Sequence, residues 1–194
     1  MDVRVIVGLG NPGKRYEGTR HNVGFEVIEQ LAGHHGVALK EKKFKALFGR
    51  GYVHGEAVML VCPQTFMNRS GESVGPLVGF YKLGVESVVV VHDDLDLPLG
   101  AVKVKSGGGH GGHNGLRDLV SKLGSADFHR IRVGIGRPQG SMATSDWVLS
   151  RWAVSQREQL QRIRERASEA IEHLLLQGPL EAMNHFNGME PVET

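Results

Sequence analysis

Three short runs of apolar and β-branched residues punctuate the chain: VRVIVGL at 3–9, VVVVH at 88–92 and RIRVGIG at 130–136. Runs this short and this apolar predict strands buried on both faces, as in a sheet covered by helices. Two further runs, ALFGRGYV and EAVMLVC, flank His54-Gly55 and predict a hairpin. Between the strands the apolar spacing becomes helical, at about 22–34, 70–82, 114–123 and 156–177, with a last short helix over 179–186. In the longest of these, Leu160, Ile163, Ala167, Ala170, Ile171 and Leu174 share one face opposite mixed charges, which reads as a packing stripe. Strands alternating with helices predict an α/β fold. The expected form is a single three-layer αβα domain over residues 1–194, its twisted sheet mostly parallel and made mixed by the hairpin. Ligands in such sheets gather outside the carboxyl ends of the strands, and the polar motifs of this chain cluster at those points.

Composition adds limits. A chain of 194 residues with 40% apolar content can bury one sizeable core. Its 27 glycines fall in short clusters and its 7 prolines are scattered, so no segment reads as a linker, repeat array or disordered tail. Residues 3–10 are too short for a secretory signal, and no apolar run approaches the ~20 residues of a membrane span. A cytoplasmic protein is expected. The single cysteine, Cys62, excludes an internal disulfide and sits in an apolar run, where a buried structural thiol is expected.

The net charge of +2 says little about partners, but its distribution says more. Between 101 and 137 lie Lys103, Lys105, Arg117, Lys122, Arg130, Arg132 and Arg137 against only Asp118 and Asp127. The preceding stretch, 84–100, carries Glu86, Asp93, Asp94 and Asp96 and no basic residue. Such asymmetry suits a protein that holds an anion beside an acidic functional cluster.

Gly8-Leu9-Gly10-Asn11-Pro12-Gly13 matches the glycine fingerprint of a dinucleotide site. Its context does not. The following residues 14–20 lack helical periodicity, and no acidic strand end follows roughly 20 residues on. The glycines then read as a tight turn carrying Asn11 over a strand end. No nucleophile-elbow serine, phosphate-loop lysine or HExxH pair is present. A metal site assembled from His92, Asp93, Asp94, Asp96, His110 and His113 has suitable ligand types, but only proximity in sequence supports it.

Four polar motifs sit where apolar elements begin or end: GLGNPGKRYEGTRHNVGF at 8–25, QTFMNRSG at 64–71, HDDLDLPLG at 92–100 and KSGGGHGGHNGLRD at 105–118. Ester hydrolysis by water needs a base, an orienter for that base and donors for the oxyanion. His21, Asp93 and the asparagines Asn11, Asn68 and Asn114 meet that list. Taken singly, His21 reads equally as a capping or packing histidine, Asp93 as a turn carboxylate, and Asn68 and Asn114 as helix N-caps. Spacing alone leaves these alternatives open.

In the same order and over most of the chain, these blocks resemble the signature segments of bacterial-type peptidyl-tRNA hydrolases. RIRVGIGRP and the late Ala182-Met183-Asn184 extend the match. The resemblance implies hydrolysis of the ester joining peptide to tRNA, recycling tRNA after ribosomal drop-off. It implies His21 as general base and Asp93 as its partner. Asn11, Asn68 and Asn114 would line the substrate cleft, with Tyr16, Asn22, Phe66, Met67 and His113 around it. Lys105 and Arg132 match basic residues that clamp the acceptor-stem phosphate. No cofactor or metal, no membrane and no obligate protein partner are implied, and a monomer is expected. The chain departs from the family pattern at Trp147, where tyrosine is common, close to the family's lid region. A non-catalytic RNA-binding relative would keep Lys105 and Arg132 but lose His21 or Asp93, and both are retained.

Overall fold

The apolar runs form strands where expected. In the computed structural model, which describes residues 3–193, the strands are β1 (Arg4–Gly8), β2 (Glu41–Lys43), β3 (Ala46–Val53), β4 (Glu56–Pro63), β5 (Val88–Asp94), β6 (Val102–Ser106) and β7 (His129–Gly134). They build one sheet in the order β2-β3-β4-β1-β5-β7-β6. β1 pairs in parallel with β4 and β5, and β5 in parallel with β7, whereas β2–β3, β3–β4 and β6–β7 are antiparallel. The sheet is mixed, with a parallel centre, and only β3 and β6 run against the other strands. The β3–β4 hairpin turns through His54 at φ 50° and Gly55 at φ 87°, the two positive values a type I′ turn requires.

Two strands escape the apolar pattern. β2 reads EKK and has no apolar residue of its own; it exists through pairing with β3. In β6, VKVKS, Val102 and Val104 are buried while Lys103 and Lys105 are partly exposed, a period of two hidden within a basic stretch. Its outer edge is closed by Asn187, whose amide accepts from Val104 N–H and donates to Val104 C=O. That contact replaces a neighbouring strand.

The helices are α1 (Val23–His34), α2 (Gly71–Phe80), α3 (Asn114–Leu123), α4 (Thr144–Val148), α5 (Arg157–Gln177) and α6 (Pro179–Phe186). Strand alternation sorts them into two outer layers. Ile6, Leu60, Val89, Val91, Ile131 and Val133 pack against α1, α5 and α6, while Val5, Val7, Met59, Val61, Val88 and Val90 pack against α2 and α3. The three-layer arrangement follows. No helix among the described residues is long and apolar enough to cross a membrane. Cys62 is buried in the first of these cores, which pushes its thiol far above the ordinary range.

Two glycines set where α1 starts. A Cβ on Gly24 would lie 2.5 Å from Leu9 N and Val91 O, and one on Gly8 would lie 2.2 Å from Gly24 O. Only their absence lets the first turn of α1 press on the carboxyl ends of β1 and β5. The glycine fingerprint therefore serves helix–strand contact, and the residues just before α1 are held against the strand ends. Chain order reverses between β1 and β5, which is the crevice where such sheets bind ligands.

Candidate active site

Asp93 is the sixth residue of β5 and is 2% exposed. His21 reaches it from the 3₁₀ turn Arg20–Asn22 that leads into α1; its Nδ1 lies 2.9 Å from Asp93 Oδ1 and 2.8 Å from Oδ2. From the opposite layer comes His113, the N-cap of α3, whose Nε2 lies 2.9 Å from Asp93 Oδ1. One carboxylate thus holds two imidazoles delivered by opposite faces of the sheet. Burial alone would favour the protonated acid, but electrostatic attraction and hydrogen bonds from His21 and His113 outweigh it and hold the Asp93 carboxyl well below the ordinary range.

An ionised Asp93 only accepts, so both histidines donate to it. His113 Nδ1 in turn accepts from the backbone N–H of Gly115 and Leu116 at 3.1 and 3.3 Å, which fixes the proton on Nε2. For His21 the proton is on Nδ1, and Nε2 is left as an acceptor beside the pocket that His21 lines. His21, Asp93 and His113 lie close enough to surround a metal ion. The donor set does not fit one, because the Nε2 that His113 would offer carries its proton. Beneath His113 sits His92, its ring 5.0 Å away and its Nδ1 donating to the Asp93 carbonyl at 2.8 Å. Burial holds His92 down at about 3, and its Nε2 has no partner among the described residues. It is a neutral, packed histidine.

The asparagines divide by what their amides already hold. Asn22 accepts from Asn11 N–H at 2.8 Å and donates to Asn11 C=O at 2.9 Å, so both ends of its amide clamp the Asn11 main chain. Asn11 Oδ1 accepts from Met67 N–H at 2.7 Å, which leaves its Nδ2 with a preset direction and no acceptor among the described residues. Asn68 and Phe66 are exposed on the segment after β4, and Phe66 meets Tyr16 edge-on at 6.4 Å. Neither Asn68 nor Asn114 is a helix N-cap: Ser70 and His113 hold those positions. Asn114 is exposed and accepts from Arg117 at 3.3 Å.

A cavity of about 630 Å³ opens from His21, Asp93, His113 and Asn114 toward Lys105, Arg130 and Arg132. Asn11, Asn68, Tyr16 and Phe66 are not in its lining, so the predicted site residues fall into two groups, with His21 in the cavity wall. In the ladders Lys105 is opposite Arg130, which is level with Val90 on β5. The lysine backbone therefore lies three residues, roughly 10 Å, below Asp93 along the sheet. Arg132 Nε donates to Asp94 Oδ2 at 2.8 Å, and no acceptor among the described residues takes its two Nη groups. The acidic and basic stretches of the sequence face each other here, with Asp96 likewise paired to Arg137.

Two positioning arginines are missed by motif reading. Arg130, 2% exposed on β7, donates to the carbonyls of Gly108 and Gly109 and so anchors the glycine-rich loop. Arg20, next to His21, stacks on Trp147 at 3.7 Å and donates to Ser150 Oγ and Arg151 C=O. Trp147, on α4, also donates its Nε1–H to Gly136 C=O at 2.9 Å. The signal available for both was an arginine inside an otherwise apolar or structured run, where its charge has to be satisfied by carbonyls or a ring face.

An imidazole oriented by a buried carboxylate, beside a cation-lined pocket at the strand ends of an α/β sheet, is the equipment of an acid–base enzyme that handles an anionic substrate. Comparison with known proteins narrows the class. The chain belongs to the peptidyl-tRNA hydrolase family, whose profile matches residues 5–193. It is 46% identical over 185 residues to a peptidyl-tRNA hydrolase of Syntrophotalea carbinolica, covering 95% of this chain and 97% of the relative. A chloroplastic peptidyl-tRNA hydrolase of Arabidopsis thaliana is 50% identical over 190 residues, which span 97% of this chain and 66% of that longer one. The crystal structure of peptidyl-tRNA hydrolase from Acinetobacter baumannii superposes with a TM-score of 0.89 at 43% identity, covering 97% of this chain and 96% of that one.

Proposed function

We propose that this peptidyl-tRNA hydrolase cleaves the ester between peptide and tRNA with a water molecule activated by His21. The observation that carries this reading is the 2.8 Å contact of His21 Nδ1 with ionised, buried Asp93. His21 Nε2 takes a proton from water as the oxygen attacks the ester carbonyl, and Asp93 stabilises the imidazolium that forms. The tetrahedral intermediate then collapses, the imidazolium returns its proton to the departing ribose oxygen of tRNA, and the peptide leaves as an acid. Asn11, whose free Nδ2 is already aimed by the Met67 contact, is the donor best prepared for the oxyanion or the peptide. Asn68 and Asn114 add adjustable contacts, Tyr16 and Phe66 an apolar wall, and Asn22 and His113 position the residues that act.

The tRNA half belongs to the cationic pocket. Lys105, without an acidic partner among the described residues, and the Nη groups of Arg132 hold a phosphate of the acceptor stem, with the 3′ end reaching up to His21. The protein acts as a monomer in the cytoplasm and returns tRNA lost from ribosomes to use. A substrate comparison tests the activity: N-acylated aminoacyl-tRNA is cut and free aminoacyl-tRNA is spared. Equal cleavage of both contradicts the reading. Lys105→Ala is expected to weaken tRNA binding and to reduce the slope of log K against log salt by about 1. An unchanged slope in a salt titration removes Lys105 from the phosphate contact.

A further inference from the structure

At the far edge of the sheet from His21, three side chains from three elements converge. His35 caps the end of α1, His54 lies in the β3–β4 turn and Glu172 lies near the end of α5. His35 Nε2 is 2.8 Å from Glu172 Oε1, His54 Nε2 is 3.1 Å from Oε2, and the two rings meet edge-on at 4.9 Å. The 12 residues of α1 separate this cluster from the catalytic histidine, roughly 18 Å of helix.

We propose that His35, His54 and Glu172 bind a divalent metal ion of the zinc class, at a site separate from the hydrolytic centre. Zinc takes two imidazoles and a carboxylate with bonds near 2.0–2.1 Å, which sets tetrahedral donors roughly 3.3 Å apart. The three donor atoms lie within 4.8 Å of one another, so small rotations of the two rings bring them into that geometry. The protonation logic that disqualifies His113 is reversed here. No group among the described residues donates to Nδ1 of His35 or His54, so each ring can carry its proton there and offer Nε2 to the metal. Glu172 faces both rings with one carboxylate oxygen each and supplies the anionic ligand of the set.

His54 occupies a position with φ 50°, a left-handed conformation that histidine, like Asn and Asp, adopts more often than most residues. Its imidazole stands over Glu172, and its half-exposed ring leaves room for water as the remaining ligand. A bound ion would tie the hairpin to α1 and α5 and stabilise the folded state by mass action.

The test is zinc titration of the chelator-treated full chain by calorimetry, alongside His54→Asn and Glu172→Gln. Asparagine keeps the left-handed turn position and loses the imidazole. The wild type is expected to bind one more equivalent of zinc than either variant, with affinity at that site falling by more than the roughly 10–100-fold lost when only a ligand's supporting residue is changed. Its unfolding midpoint is expected to rise with zinc, and those of the variants to rise less. Equal stoichiometry and equal midpoint shifts in all three proteins overturn the proposal.

Discussion

His21→Ala is expected to lower turnover of N-acylated aminoacyl-tRNA by roughly 10²–10⁴-fold, the range that a positioned general base supplies. Affinity for tRNA should hardly change, because in the proposed mechanism the imidazole acts on water and the leaving oxygen, while Lys105 and Arg132 supply the phosphate contacts. A loss confined to kcat is the mark of an interaction made in the transition state. Alanine fits without strain, since His21 sits in a 3₁₀ turn held by main-chain bonds from Asn22 N–H to Thr19 C=O and from Arg20 N–H to Ser150 C=O. Single-turnover rates together with tRNA binding curves separate the two effects. Substantial residual turnover, or a matching loss of tRNA affinity, contradicts the role of base.

Asp93→Asn is expected to cost as much, roughly 10²–10⁴-fold in kcat, although it changes one atom. The reason is a conflict of donors. In the native site His21 and His113 both donate to the carboxylate. An asparagine at 93 that keeps its amide oxygen on His113 turns its NH₂ toward the Nδ1–H of His21. His113 cannot yield, because its Nδ1 is occupied by the N–H groups of Gly115 and Leu116. His21 therefore gives way: its Nδ1 becomes the acceptor, its Nε2 takes the proton, and the base is lost. The fold should survive, as the amide matches the carboxylate in size. Circular dichroism and single-turnover cleavage check both parts, and turnover within tenfold of wild type contradicts the tautomer argument.

Much of this site was legible because chemistry and chain order coincide. The four polar blocks mark the ends of β1, β4 and β5 and the start of α3, so motif order already implied which residues share the carboxyl edge. Legibility ended where a residue's job depends on which lone pair or N–H is already in use. Asn11, Asn22 and Asn114 are one residue type in neighbouring motifs, yet one is a preset donor, one a main-chain clamp and one an exposed acceptor for Arg117. Helix capping misled for the same reason: His113, not Asn114, caps α3, and that cap also fixes its tautomer. β6 was hidden because its lysines leave the core, Lys105 for the cavity wall and Lys103 for the Asn187 carbonyl, giving a strand the appearance of a basic loop. Arg130 and Arg20 were invisible as positioning groups because their partners are carbonyls and a ring, which leave no complementary charge in the sequence.

Two histidines that look alike in sequence also separate on geometry. His92 and His21 both lie within polar motifs and both border the cavity, but burial keeps His92 neutral with its Nδ1–H spent on the Asp93 main-chain carbonyl, whereas His21 Nδ1 is held by the Asp93 carboxylate. Position relative to the strand end decides this, and only the folded chain supplies it.

The joint action of His21 and Asp93 is tested most directly by single-turnover hydrolysis in His21→Ala, Asp93→Asn and the double variant. If Asp93 acts through the imidazole, removing both is expected to cost no more than removing His21 alone. Losses that multiply in the double variant contradict a single water-activating pair.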